Sequence, residues 1–156
     1  MNGARILLVE DDEALRDLER RNLQVRAHDV SIAADAKSAL AFLRSGDFDL
    51  IVLDINLPDL TGWEVLRTAL NEGRIQVLNV EGQGPCLPVV VLSAVRVSQR
   101  RLAEFRPLAY LPKPFPLDAL LRLAEEAAWR RYNRVGDKPA ITDVQRSLST
   151  EEELHA

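Results

Sequence analysis

Short apolar runs alternate along this chain with stretches in which apolar residues return every three or four positions. That pattern predicts buried strands separated by amphipathic helices. "RILLV" (5–9) reads as a first strand, followed by a helix over about 12–26 with Leu15, Leu18 and Val25 on one side. "DVSIAA" (29–34) gives a second strand, after which Ala36, Ala39, Leu40 and Leu43 keep helical spacing. "FDLIVLD" (48–54) is the third strand and "GWEVLRTAL" (62–70) the third helix. "PVVVLSA" (88–94) stays apolar without alternation, as a strand does when helices cover both its faces. A short helix near 98–105, a strand "LAYL" (108–111) and a long helix from about Pro116 complete the series. Leu117, Leu120, Leu121, Ala124 and Ala128 form the stripe of that last helix. Five βα units in succession predict an α/β fold: a doubly wound parallel sheet with right-handed crossovers and helices on both faces.

Two stretches interrupt this rhythm. "NEGRIQVLNVEGQGPCLP" (71–88) is long for a connection that usually takes about 2–6 residues. Ile75, Val77 and Val80 alternate, and Gly82 and Gly84 close the run, which predicts a hairpin or flap inserted at about 73–86. The apolar stripe of the last helix continues past Ala128 to Tyr132 and Val135, with Trp129 beside it. A helix of that length should overhang the sheet and leave its aromatics, next to Arg130, Arg131 and Arg134, as a protein-contact surface for a second copy, a partner or the chain's own tail. Gly136 is the expected C-cap, and "STEEEL" (149–154) has the capping pattern of one more helical turn. The organisation expected is therefore one domain over 1–132, with a helix extension and tail over 133–156.

In an open sheet of this kind, ligands sit beyond the carboxyl ends of the strands. There the predicted strands deliver Glu10, Asp11 and Asp12, then Asp54, then Ser93, then Lys113. Taken singly, each has an ordinary explanation: acids at a helix start offset its positive end, a strand-end serine is a common terminator, and most lysines are solvated. Brought to one rim, they make a chemical set. Two or three carboxylates form a hard oxygen site suited to Mg²⁺. A divalent ion beside Asp54 keeps that carboxylate ionised and nucleophilic, and the Ser93 hydroxyl and Lys113 ammonium suit phosphoryl oxygens. The set points to an aspartate that accepts a phosphoryl group.

Composition narrows the context. The 156 residues carry a formal net charge of −4 and a single cysteine, Cys86, which excludes an internal disulfide. Acidic balance argues against nucleic-acid binding, no apolar run approaches the roughly 20 residues of a membrane span, and "MNGARILLVEDDEALRD" is no signal peptide. A cytoplasmic protein, binding neither nucleic acid nor membrane, is expected.

"ILLVEDDEALR", "IVLDINLPDLTGWEVL", "VVVLSA" and "YLPKPF", in that order, resemble the receiver domain of bacterial two-component response regulators over about residues 4–132. The resemblance implies a flavodoxin-like five-stranded sheet of order 2-1-3-4-5. It also implies a phosphoprotein of phosphorelay signal transduction rather than an enzyme, with Asp54 taking phosphate from a sensor histidine kinase or phosphotransfer protein. It makes Glu10, Asp11, Asp54 and Asn56 (through its backbone carbonyl) the Mg²⁺ site, with Asp12 as a neighbour able to substitute. Lys113 becomes the phosphoryl-binding lysine, held by a cis Lys113–Pro114 bond, and Ser93 with Tyr110 the switch that alters a surface for a downstream protein. Some features depart from the family. "FRPLAY" (105–110) replaces the usual step before the switch aromatic, Leu108 and Ala109 stand where winged-helix regulators carry an acidic pair, and the Ser93–Lys113 span is short, so the fourth helix should be trimmed. No output domain follows, which resembles a stand-alone receiver. A pseudo-receiver scaffold is the alternative. A haloacid-dehalogenase-type phosphatase wants a second aspartate where Asn56 stands, and a flavin carrier wants glycine where "VEDDEA" is acidic.

Overall fold

Runs such as Ile6–Val9, Ile51–Leu53 and Val89–Leu92 offer no side for water, so they can only be central strands with both faces covered. The computed structural model describes residues 3–135. In chain order the elements are β1 Arg5–Val9, α1 Glu13–Val25, β2 Asp29–Ala33, α2 Ala36–Ser45, β3 Leu50–Asp54 and α3 Gly62–Asn71. They continue with β4 Leu78–Val80, β5 Gly84–Ser93, α4 Gln99–Phe105, β6 Pro107–Pro112 and α5 Leu117–Val135. β2, β1, β3, β5 and β6 pair in that order, all parallel. This is the expected doubly wound order with one strand added.

The added strand comes from the inserted hairpin and leaves the expected parallel order of five strands intact. β4 pairs antiparallel with the first residues of β5, Leu78 opposite Cys86 and Val80 opposite Gly84, whereas β3 pairs with Val89–Leu92 further along. The insertion thus prolongs β5 at its amino end, away from the rim where the strands finish. Arg106, the C-cap of α4 in the left-handed region (φ 49°), fixes the hairpin by donating from Nε to the Pro85 carbonyl at 2.8 Å.

Strand alternation divides the core in two. Leu7, Val9, Ile51, Leu53, Val89 and Val91 face α2 and α3. Ile6, Leu8, Val52, Val90 and Leu92 face the other way, against Leu23 of α1 and Leu120, Leu121 and Ala124 of α5. α4 is short, as expected, and is clamped to α3: Phe105 stacks on Trp63 with centroids 5.2 Å apart, Arg67 lies over Phe105 and Arg101 over Trp63. At the opposite pole, buried Asp49 receives the Arg5 amide at 2.7 Å and Arg5 Nη2 at 3.1 Å, and Arg131 of α5 approaches it at 3.5 Å. Burial alone would push the Asp49 carboxyl up, but the Arg5 hydrogen bonds outweigh it and hold the group below its ordinary range.

The inward face expected for α1 needs correction. Val25 is exposed and Leu18 half exposed, and the residues that meet the core are Leu23 and, one turn earlier, Glu19. An acid inside the apolar stripe disguised its phase. Trp129 and Tyr132 of α5 are exposed. The expected Gly136 cap and everything inferred for 136–156 lie outside the described residues. Among those residues, no helix is long and apolar enough to cross a membrane.

Candidate functional site

β3 and β5 end on residues the site uses, and β1 and β6 end one residue before theirs, because buried parallel strands in register stop at one rim. Asp54 closes β3 with Leu92 beside it on β5, one residue before Ser93. Asp54, Glu10 and Ser93 are all buried. Carboxylate oxygens of Glu10, Asp11 and Asp54 lie within 4.8 Å of one another. Lys113 Nζ bridges two of them, donating to Glu10 Oε1 at 3.0 Å and Asp54 Oδ2 at 3.2 Å. The Lys113–Pro114 bond is cis. Asp54 Oδ1 accepts from the Asn56 amide at 3.1 Å, so both carboxylate oxygens are held in place.

Backbone packing sets the loop after Asp54. The Gly62 amide donates to the Ile55 carbonyl at 2.8 Å, and a Cβ on Gly62 would meet the Asp54 carbonyl oxygen at 2.9 Å. Only glycine admits that approach. Thr61 and Glu64 then form a reciprocal capping box that starts α3 beside the site.

The electrostatics follow from enclosure. Burial pushes Glu10 up to about 7, with the nearby Asp54 charge adding to the rise and Lys113 opposing it. For Lys113, burial favours the neutral amine, but the hydrogen bonds and charges of Glu10 and Asp54 outweigh it and the ammonium is held above its ordinary range. Three hard oxygen donors converging around one lysine suit Mg²⁺, whose remaining positions water can fill.

Not every expected residue takes the place assigned to it. Asp12 is not in the cluster: it is exposed, and its carboxylate caps α1 by accepting from the Leu15 amide at 3.1 Å. Asn56 reaches Asp54 through its amide, as described. The Ser93 hydroxyl turns into its own loop, donating to the Val95 carbonyl at 2.7 Å. Tyr110 is half-buried against the α2–α3 side of the core. Two residues escaped the reading of the sequence. Arg16 donates to the Glu10 carbonyl at 3.0 Å and steadies the acidic loop, and Glu19 is enclosed near the cluster. The second was detectable as an acid four residues from both Leu15 and Leu23. Beside the site, Leu15, Leu18, Ala94, Phe115 and Leu117 wall an apolar groove of about 380 Å³ that includes Lys113.

Comparison with known proteins agrees with this geometry. The family model described as the response regulator receiver domain matches residues 6–125. The response regulator MprA of Mycobacterium ulcerans is 35% identical over 149 residues, covering 94% of this chain and 59% of that protein. The CheY-like receiver domain protein of Methanospirillum hungatei superposes with a TM-score of 0.65 at 27% identity, covering 83% of this chain and 97% of that one. TrrA of Thermotoga maritima, solved in complex with Mg²⁺ and a beryllium fluoride, gives 0.63 at 25% identity, covering 81% and 99%. The chain spans about half the length of the MprA proteins it matches, 59% in one and 47% in another. That coverage overturns the expectation that nucleic acid has no part. The acidic balance describes only the part of these relatives that the chain matches, and related response regulators bind nucleic acid. With the motifs in order, the sheet order kept and the family model matching residues 6–125, the chain belongs to the response regulator receiver domain family.

Proposed function

We propose that this chain is a phosphorylation switch in which Asp54 accepts a phosphoryl group from a histidine kinase or phosphotransfer protein in the cytoplasm. The observation that carries the reading is the convergence at Asp54: Lys113 Nζ at 3.2 Å and the acids Glu10 and Asp11 within 4.8 Å. In the transfer, an Asp54 carboxylate oxygen forms a bond to phosphorus while the bond from phosphorus to the donor breaks, and the donor atom keeps that electron pair. Lys113 meets negative charge on the arriving group, which is the usual way such transfer is assisted. Glu10, Asp11, Asp54 and the Asn56 carbonyl would hold Mg²⁺, which supplies charge neutralisation at the phosphoryl oxygens. The apolar groove at Leu15, Leu18 and Phe115 gives a donor protein a place to seat beside the acceptor.

Ser93 and Tyr110 make the readout. A phosphoryl oxygen competes with the Val95 carbonyl for the Ser93 hydroxyl, and withdrawing that bond frees the loop before α4 to bias an existing two-state equilibrium. The consequence is a signalling output to a downstream partner rather than turnover of a substrate. Every reactive position carries a competent side chain, so no observation favours a pseudo-receiver scaffold. Incubation with acetyl phosphate and Mg²⁺ tests the reading: the intact protein gains the mass of one phosphoryl group and Asp54→Asn does not. Equal labelling of that variant refutes the assignment.

A further inference from the structure

Glu19 is the side chain for which the fold offers least reason. It stands on the inward face of α1, fully enclosed, and among the described residues neither carboxyl oxygen has a hydrogen-bond partner. A buried polar group left unpartnered costs stability and calls for an explanation in use. Its next inward neighbour on α1, Leu23, packs in the layer of Leu8, Leu120 and Ala124, so an apolar residue would suit the position better. The charged groups that act on it are Glu10 at the end of β1, Asp54 at the end of β3, Asp12 at the N-cap of α1 and Lys113 after β6. It hydrogen-bonds none of them. Burial first, and the Glu10 charge second, push its carboxyl up to about 8, so at neutral pH it carries a proton.

We propose that Glu19 is a positioning residue for the acidic site: it releases its proton to solvent when a divalent cation binds the Glu10–Asp11–Asp54 cluster, and its buried negative charge then strengthens the hold on that cation. The inference rests on reading the cluster as a cation site. Three of the four groups acting on Glu19 are acids, and their combined field opposes its ionisation. Two positive charges arriving among them reverse that field, and in a poorly solvated interior the change is weakly screened. Linkage is reciprocal: whatever the cation does to the proton affinity of Glu19, loss of the proton does to the cation affinity. Each tenfold fall in proton affinity therefore returns about tenfold in cation affinity once the pH exceeds the starting value.

Glu19→Gln keeps the shape and removes the charge. Mg²⁺ affinity of the full chain and of this variant, followed by tryptophan fluorescence from pH 6 to pH 9, should agree within about twofold at pH 6. By pH 9 the unaltered chain should bind about tenfold more tightly. Near pH 7.5, a pH-indicator dye in weak buffer should record more protons released per Mg²⁺ bound by the unaltered chain than by the variant. Glu19→Leu serves the same comparison if the amide variant does not fold. A constant affinity ratio across the pH range, with equal proton release, overturns the proposal while leaving the cation site intact. Failure of the unaltered chain to bind Mg²⁺ at any pH overturns both the proposal and the cation-site reading beneath it.

Discussion

Glu10 is both a proposed cation ligand and a buried acid, which makes its cost measurable when no cation is supplied. Its carboxyl rises from 4.5 to about 7 on folding, chiefly through burial. A carboxyl that holds its proton more tightly in the folded state favours folding most below its unfolded value near 4.5. That contribution is lost as the pH climbs through about 7. At about 1.4 kcal/mol per tenfold, the displacement amounts to about 3 kcal/mol between pH 4.5 and pH 8. Glu10→Gln resembles the protonated side chain at every pH and lacks this slope. Urea denaturation in EDTA should therefore find the two proteins close near pH 4.5 and the variant more stable by up to about 3 kcal/mol at pH 8. In a chain of this size that is about 6–12 °C in Tm. Glu19 titrates in both proteins, but the Glu10 charge helps hold its proton, so part of the slope passes through Glu19. Adding Mg²⁺ at pH 8 should recover stability in the unaltered chain, by about 2.7 kcal/mol at a hundred times its Kd, and much less in the variant. A difference between the two that stays flat from pH 4.5 to pH 8 refutes the argument.

Gly62→Ala should cost about 1–3 kcal/mol in urea denaturation, because the added Cβ meets the Asp54 carbonyl oxygen at 2.9 Å. The same variant should gain phosphoryl mass from acetyl phosphate more slowly, since the displaced backbone carries the acceptor. Asp49→Ala should cost about 1–3 kcal/mol at pH 7 by leaving the Arg5 amide and guanidinium without their acceptor. That cost should shrink on acidification, since a carboxyl held low contributes above its ordinary value of 3.8 and loses the contribution as the pH falls through its folded value. A Trp63→Leu, Phe105→Leu double-mutant cycle should return a coupling of about 0.5–1.5 kcal/mol. Additive single effects would show that α3 and α4 are not joined through that stack.

The order of strands and helices, and four of the groups at the rim, were legible in the amino-acid sequence because each is written locally. Ile51–Leu53 cannot face water, so the strand is buried and Asp54 falls at its end. The same reasoning places Glu10 after β1 and Lys113 after β6, and the doubly wound order brings these ends together. The identity of the inward face of α1 was not legible, because the position that decides it holds Glu19, and periodicity counts an acid as solvent-facing. Nor did spacing reveal that Asp12 spends its carboxylate on capping α1 while Asp11 joins the cluster. Adjacent acids look alike until the helix fixes which one meets its own backbone. The inserted stretch announced a hairpin through its alternation and glycines, but its partner strand depended on β5 running ahead of β3. The pairing of Arg106 with Pro85, across 21 residues, exists only once both loops are folded. The proton affinities of Glu10 and Glu19 are tertiary in the same sense. They come from water being excluded by residues far apart in the chain, a quantity no local pattern contains.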